Sequence, residues 1–232
     1  MTRKRWFIIV AAILCLAGCL VFAPCLVTVR DGEGWQWSAA RLKQIGLALH
    51  SYHDIYGRLP PAVKRSNEGQ PLYSWRVLLL PFLEQQSLFN QFDLDEPWDG
   101  PHNKPLLEKI PKCYTLRMWR SDIAGLTHYQ AFVGPGTAFQ GNDLSNSLFL
   151  VVEAAHPVPW TEPADLVYAP EGPLPELGGL FQQPIHLWCY EIGSRHGFNA
   201  CLADGNVRFI RSDTDERTLR DFIARSDRAK RE

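Results

Sequence analysis

No CxxC pair occurs in the 232 residues, so a zinc ribbon and a thioredoxin-type redox motif are excluded. P-loop, GxGxxG, nucleophile-elbow and HExxH patterns are absent too, which leaves no motif-level claim to a phosphate, dinucleotide, serine-hydrolase or zincin chemistry. Charge of either sign is scarce in excess: the net formal charge is −1. Every acidic residue lies after Val29, so the chain beyond that point carries 21 basic and 25 acidic residues, a balance of −4. That balance gives no electrostatic footprint for nucleic acid. The basic tail from Arg225 to Arg231 reads as a solvated helix end.

The most informative absence is local. Trp6 to Val29 runs for 24 residues without a charged side chain. A spanning helix needs about 20 apolar residues, and only a segment that satisfies its own backbone hydrogen bonds is stable in hydrocarbon. Arg3, Lys4 and Arg5 precede the run, so the N-terminus is expected to stay cytoplasmic. The expectation is a single-pass protein of the inner (cytoplasmic) membrane. Residues 1–30 form the basic cap and transmembrane anchor, and 31–232 form an extracytoplasmic, periplasmic domain. Two readings compete for the same stretch. Leu16-Ala17-Gly18-Cys19 fits a lipobox, with Cys19 lipidated and the leader removed; a cleaved secretion signal is the other. All three export the C-terminal part.

Cys15, Cys19 and Cys25 lie in the apolar run and read as small hydrophobes. Cys113, Cys189 and Cys201 are exported, and their odd number leaves at least one unpaired. An oxidising compartment permits a Cys189–Cys201 bridge, whose geometry the sequence does not establish.

Helices come first in the exported chain and strands later. Leu42, Ile45, Leu49, Tyr52 and Tyr56 recur at steps of three and four, predicting an amphipathic helix from about Trp37 to Tyr56, stopped by Gly57 and Pro60-Pro61. Ser74 is placed to cap a second helix. Pro81 interrupts it or starts another, which runs to about Phe92. Residues 93–103 read as a loop, and Leu106 to Ile110 as a short helix. His128 to Val133 and Leu148 to Glu153 read as strands, and Val158 to Gly179 as irregular, proline-rich chain. Phe198 to Ile210 reads as a hairpin about Asp204-Gly205, with a type I′ turn pairing Leu202 with Val207 and Ala200 with Phe209. That register puts Phe198, Ala200, Leu202, Val207 and Phe209 on one core face. A last helix is expected from about Asp215 to Arg225, with Asp213 and Glu216 as its capping box and Leu219, Phe222 and Ile223 facing inward. The fold class is α+β with an antiparallel sheet.

The segments LKQIGLALHSYHDIYGRLPPA, SWRVLLLPFLEQ, DEPWDGPHN, VGPGTAF, LVVEA, VPWTEPADL and LADGNVRFI follow one another in order. Together they resemble the bacterial family catalogued as domain of unknown function 1559, over about Ala39 to Ile223. The resemblance implies a pilin-like envelope protein, in which a helix continues out of the membrane and packs its apolar stripe on a sheet. It implies other envelope or secretion-system proteins as partners, and no established molecular function. Two departures stand out. Members usually begin with a prepilin leader of Gly-Phe-Thr-Leu-Ile-Glu type; none occurs between Met1 and Val29, no glutamate lies in the apolar run, and Asp31 to Gly34 interrupt the spine. Members often end with His-x(9)-Asp-Gly, whereas seven residues separate His196 from Asp204-Gly205 here.

Candidate chemistry is sparse. His50 and His53, with Asp54 beside them, put two imidazoles on one helix, a zinc- or copper-compatible pair without a third ligand at a recognisable spacing. Asp93, Asp95, Glu96 and Asp99 crowd four carboxylates into a loop, as a calcium site would. Some pseudopilins carry calcium in a loop, which the resemblance makes relevant. Glu153 ends an apolar strand and could meet His156, His196 or Asp204 as an acid/base pair; a hydrogen-bonded structural carboxylate is the plainer reading. The eight tryptophans could line a glycan-binding face or serve the core. The leading expectation is a structural or protein-interaction role and no enzyme activity. A calcium- or glycan-binding module is the first alternative, and an envelope lipoprotein or hydrolase the second.

Overall fold

The computed structural model describes residues 33–116, 125–142, 144, 148–178, 181–187 and 190–225. The apolar run with its three cysteines, Cys189 and the basic tail after Arg225 lie outside the described residues. Among the described residues no helix is long and apolar enough to cross a membrane.

Helix α1 spans Glu33–Tyr56, about 36 Å at 1.5 Å per residue. It starts four residues earlier than the apolar stripe alone suggests, so Gly34 belongs to the helix. Leu42, Ile45, Leu49 and Tyr52 are buried as expected, but Tyr56 is 57% exposed. It sits on the last turn, where its ring meets Tyr52 at 4.4 Å and Phe82 at 6.3 Å instead of entering the core.

A hairpin of β1 (Val63–Arg65) and β2 (Pro71–Ser74) follows. The expected helix to Phe92 is broken into short pieces: α2 (Trp75–Leu78), a 3-10 turn at Leu80–Leu83, and α3 (Gln86–Phe89). Ser74 caps α2 by accepting from the Arg76 N–H at 3.0 Å. Pro81 opens the 3-10 turn, and Glu84 at φ 59° ends it. Two further 3-10 turns cover Lys104–Lys109 and Lys112–Tyr114.

Five strands form one antiparallel sheet. β3 (Leu126–Gln130) pairs with β5 (Phe149–Pro159), β5 with β8 (Tyr190–Leu202), and β8 with both β7 (Phe181–Leu187) and β9 (Val207–Arg211). A separate parallel pair joins β4 (Phe132–Val133) to β6 (Leu166–Val167). The expected strand to Val133 thus splits at Ala131, and the proline-rich stretch contributes the end of β5, β6 and a bridge between Ala154 and Leu177.

The sheet is covered on both faces, which is why β5 reads as an unbroken apolar run rather than an alternating one. On one face α1 packs with Leu150, Val151 and Cys201 in a large core that includes Trp75, Tyr114 and Trp160. On the other, Phe132, Phe149, Val152, Phe198, Ala200 and Leu202 pack under Ile223 of the last helix, α4 (Glu216–Ile223), alongside Leu219 and Phe222. The cap of α4 is Asp215, which accepts from the Thr218 N–H at 2.9 Å. Asp213 is not part of a capping box; it is held by Arg211.

The β8–β9 register differs from expectation by one residue. Phe209 pairs with Asn199 and Val207 with Cys201. Only Gly205 has positive φ (79°) in this turn, and Asp204 does not, so type I′ geometry is not formed. A three-residue loop with glycine in the left-handed position replaces it. A one-residue slip moves a strand's side chains to the other face, and Val207 accordingly packs in the α1 core, while Phe209 meets Trp35 edge-on at 6.5 Å. Cys201 is a free, buried thiol, and its candidate partner Cys189 lies outside the described residues. The Cys201 sulfur faces α1 at Gly46, where an added Cβ would stand 2.5 Å away.

Candidate functional site

Where the sheet meets the first turns of α1, four elements contribute to one sealed polar cluster. Glu153 on β5 is fully buried. Its carboxylate accepts from the Asn199 backbone N–H at 2.7 Å, from Asn199 Nδ2 at 3.0 Å, and from the Ser38 hydroxyl of α1. Ser38 Oγ also lies 2.8 Å from the Tyr129 hydroxyl of β3. Asn199 Nδ2 donates in addition to the Trp35 carbonyl at 2.9 Å. Burial pushes the Glu153 carboxyl above the usual carboxylate value, against the pull of the Ser38 and Asn199 hydrogen bonds. Burial likewise pushes the Tyr129 phenol up, and the neighbouring Glu153 charge adds to it.

Tyr129 also links to a second cluster. Its carbonyl accepts from Arg76 Nε at 3.0 Å. Arg76 and Asp165 form an ion pair of 2.8 Å with side-chain exposures of 0% and 2%. Trp75 Nε1 and the Ala131 N–H donate to the same Asp165 carboxylate, at 3.1 Å and 2.8 Å to Oδ1. Arg76 Nη1 donates to Ser74 Oγ at 2.8 Å, and the Arg76 carbonyl accepts from the Tyr114 hydroxyl at 3.0 Å. Burial raises the Asp165 carboxyl, and the Arg76 guanidinium and the three N–H donors oppose that rise. Such a satisfied network fixes a unique arrangement of elements, because each member left unpaired in a dry core would be costly.

The partners that the sequence suggested for Glu153 are not brought to this cluster. His156 is exposed and pairs with Glu176 at 3.0 Å. His196 is exposed, three residues before Asn199 on β8, about 10 Å along an extended chain. Asp204 sits in the β8–β9 turn, accepting from the Asn206 N–H at 2.9 Å; that bond, and lesser contributions from Arg208 and Lys43, hold its carboxyl below the usual range. Among the described residues, Glu153 therefore has no histidine partner, and its side chain is fully buried. Gly205 is tied to α1 instead: its carbonyl accepts from Lys43 Nζ at 2.6 Å. His50 Nε2 lies beside it, buried and without a hydrogen-bond partner among the described residues.

The four loop carboxylates do not converge as a calcium site would need. Asp93 accepts from the Asp95 N–H, and Glu96 accepts from the His102 N–H. The loop is organised by the buried Asn103, whose Oδ1 accepts from the Asp93 N–H and whose Nδ2 donates to the Asp93 and Glu96 carbonyls. Among the described residues no three His, Cys, Asp or Glu side chains are grouped to hold a metal ion, the His50–His53 pair included. Two of the described tryptophans serve the core. Trp75 and Trp160 are fully buried, and Trp160 Nε1 donates to the Leu107 carbonyl at 3.0 Å.

Residues 38–147 match the family described as protein of unknown function (DUF1559). The match runs from Ser38 through Trp75-Arg76 and Tyr129, and ends before Glu153, Asp165 and Asn199 complete the two clusters. No curated protein and no solved structure matches the chain. The ion pair joins two motifs that carry the resemblance, Ser74-Trp75-Arg76 and Pro163-Ala164-Asp165. Arginine inside an otherwise apolar helix run was the signal that a buried acid had to exist elsewhere.

Proposed function

We propose that this DUF1559-family protein is a membrane-anchored envelope protein, with a structural or protein-interaction role carried by a pilin-like exported domain. One observation supports the reading best. The first turns of α1 are fastened to three strands by Trp35, Ser38, Tyr129, Glu153 and Asn199, and α1 begins four residues after the apolar run ends at Val29. A domain hung from a single anchor takes every lateral load at that junction, and a buried, directional network resists it better than apolar contact alone, which can slide. The long helix laid on an antiparallel sheet suits a scaffold that presents its remaining surface to other envelope or secretion-system proteins.

The decisive experiment is the intact mass and N-terminal peptide of the protein from native membranes. A start at Met1 or Thr2 supports a permanent anchor with the N-terminus inside. A diacylglyceryl Cys19 start would replace the anchor by a lipid, and an unlipidated new N-terminus would overturn the tethered reading. Crosslinking in intact cells then tests the interaction role, which is lost if no envelope protein is captured.

A further inference from the structure

We propose that the outer face of α1 pairs with the same face of a second copy of this chain, the two helices running antiparallel about a two-fold axis between Leu47 and Ser51. The inference goes beyond the interaction role proposed above, because it names the partner, and it uses no residue before Gln36.

The two faces of α1 are made differently. The inner one is laid on the sheet. On the outer one, nine positions from Gln36 to Ile55 are exposed, and only two of them, Lys43 and Asp54, carry a charge. The outward face of a surface helix is ordinarily charged and polar. Here Gln44, Leu47, Ser51 and Ile55 run down it at steps of three and four, the spacing of a seam between helices. Leu47 is 56% exposed and Ile55 67%.

Charge selects the occupant. Lys43 and Asp54 are eleven residues apart, which is three turns plus about 20°, and about 16 Å along the axis. They therefore lie on the same edge of the seam with opposite signs. A two-fold midway between them, perpendicular to the helix, sets each Lys43 opposite Asp54 of the other copy, twice over. The same axis brings Leu47 level with Ser51 of the other copy and Gln44 level with its Ile55. A parallel pairing would instead set lysine against lysine and aspartate against aspartate. Lys43 Nζ is positioned by the Gly205 carbonyl at 2.6 Å, which uses one of its three N–H donors. Asp54 is exposed and belongs to none of the four ion pairs among the described residues. Area sets the strength. A face about 11 Å wide along the roughly 36 Å of α1 offers about 400 Å², half of the roughly 800 Å² per partner in a standard stable interface. The pair is of the weak, reversible class, populated where copies are concentrated. Two copies in one bilayer meet this way with the two-fold normal to it.

The test uses the full chain at high protein density in phosphatidylcholine vesicles, with half of the copies heavy-isotope-labelled. A photoreactive amino acid replaces Gln44 in the unlabelled copies. The expected product is a cross-link from that position to a labelled peptide at or next to Ile55, sited by fragment ions. Asp54→Lys in all copies should lower its yield several-fold, and so should Lys43→Asp. Mixing the two variants should restore the yield, because each charge then meets its opposite; misfolded copies would not recover on mixing. A link to Gln44 of the other copy means parallel pairing and overturns the inference, as does the absence of any link between copies, or a yield that ignores both charge changes. In intact cells, capture of a different protein by the same probe, with no second copy, assigns the face to that protein and overturns the inference while leaving the interaction role standing.

Discussion

Asn199 holds Glu153 twice, through its backbone N–H at 2.7 Å and its side-chain amide at 3.0 Å, and the same amide reaches the Trp35 carbonyl at 2.9 Å. One side chain on β8 thereby fastens a buried acid of β5 to the first turn of α1. Replacing Asn199 by alanine leaves the Trp35 carbonyl and one Glu153 oxygen short of a donor. Unsatisfied buried groups cost about 1–3 kcal/mol each, so Asn199→Ala is expected to lose roughly 2–4 kcal/mol in urea unfolding. Hydrogen exchange should localise the opening to the first two turns of α1. Uniform loss of protection across the domain would refute the clasp.

Glu153 gives the domain a defined response to pH. Burial raises its folded-state carboxyl above the ordinary 4.5, so the folded state binds this proton more tightly than the unfolded chain does. Its contribution to stability is therefore fully present below about 4.5 and is lost as pH rises through the raised folded value. Glu153→Gln removes that dependence. The stability difference between wild type and variant should shift in favour of wild type as pH falls from 8 to 4, read from paired thermal melts. A difference that stays flat, or that moves the other way, means the acid is ionised throughout.

The Arg76–Asp165 pair predicts strong non-additivity. Removing either partner strands a buried charge, and single losses of this kind cost about 3–5 kcal/mol. Arg76→Met and Asp165→Leu are each expected to fall in that range, while the double variant should be far less destabilised than their sum. A double-mutant cycle measured by chemical denaturation checks this. Additive losses would show that the two residues act separately.

What the sequence made legible follows from how local each signal is. The α1 stripe, the Ser74 cap and the last helix are set by periodicity and near neighbours, and they appear close to where they were expected. The β8–β9 hairpin was located, but its register was not, because the choice between a two- and a three-residue loop depends on which face α1 covers. Val207 and Cys201 face that helix, and only the packed structure shows it. The buried clusters were the least legible. Glu153 was noticed because an acid ending an apolar strand is unusual, yet its partners Ser38 and Asn199 lie 115 and 46 residues away and carry no pattern of their own. The histidines and loop carboxylates attracted notice through spacing, and spacing on one element says nothing about convergence with another.

Gly46 offers the sharpest test of how tightly α1 is laid on the sheet. A glycine in mid-helix costs about 0.5–1 kcal/mol relative to alanine, so on propensity alone Gly46→Ala should stabilise the protein. The packing says otherwise. A Cβ at this position would stand 2.5 Å from Cys201 Sγ, too close unless helix and strand separate, and overpacking of this kind costs about 1–3 kcal/mol. Gly46→Ala is expected to lower the melting temperature, and adding Cys201→Ala should restore it by making room. The same burial pushes the Cys201 thiol up to about 12, and Cys113 likewise. In the wild type both should therefore resist alkylation at pH 8 until the domain is unfolded, whereas Gly46→Ala should let Cys201 react first, as measured by mass spectrometry of timed quenches. A stabilised Gly46→Ala variant, or native-state labelling of Cys201 as fast as in urea, would show that α1 and β8 do not approach this closely.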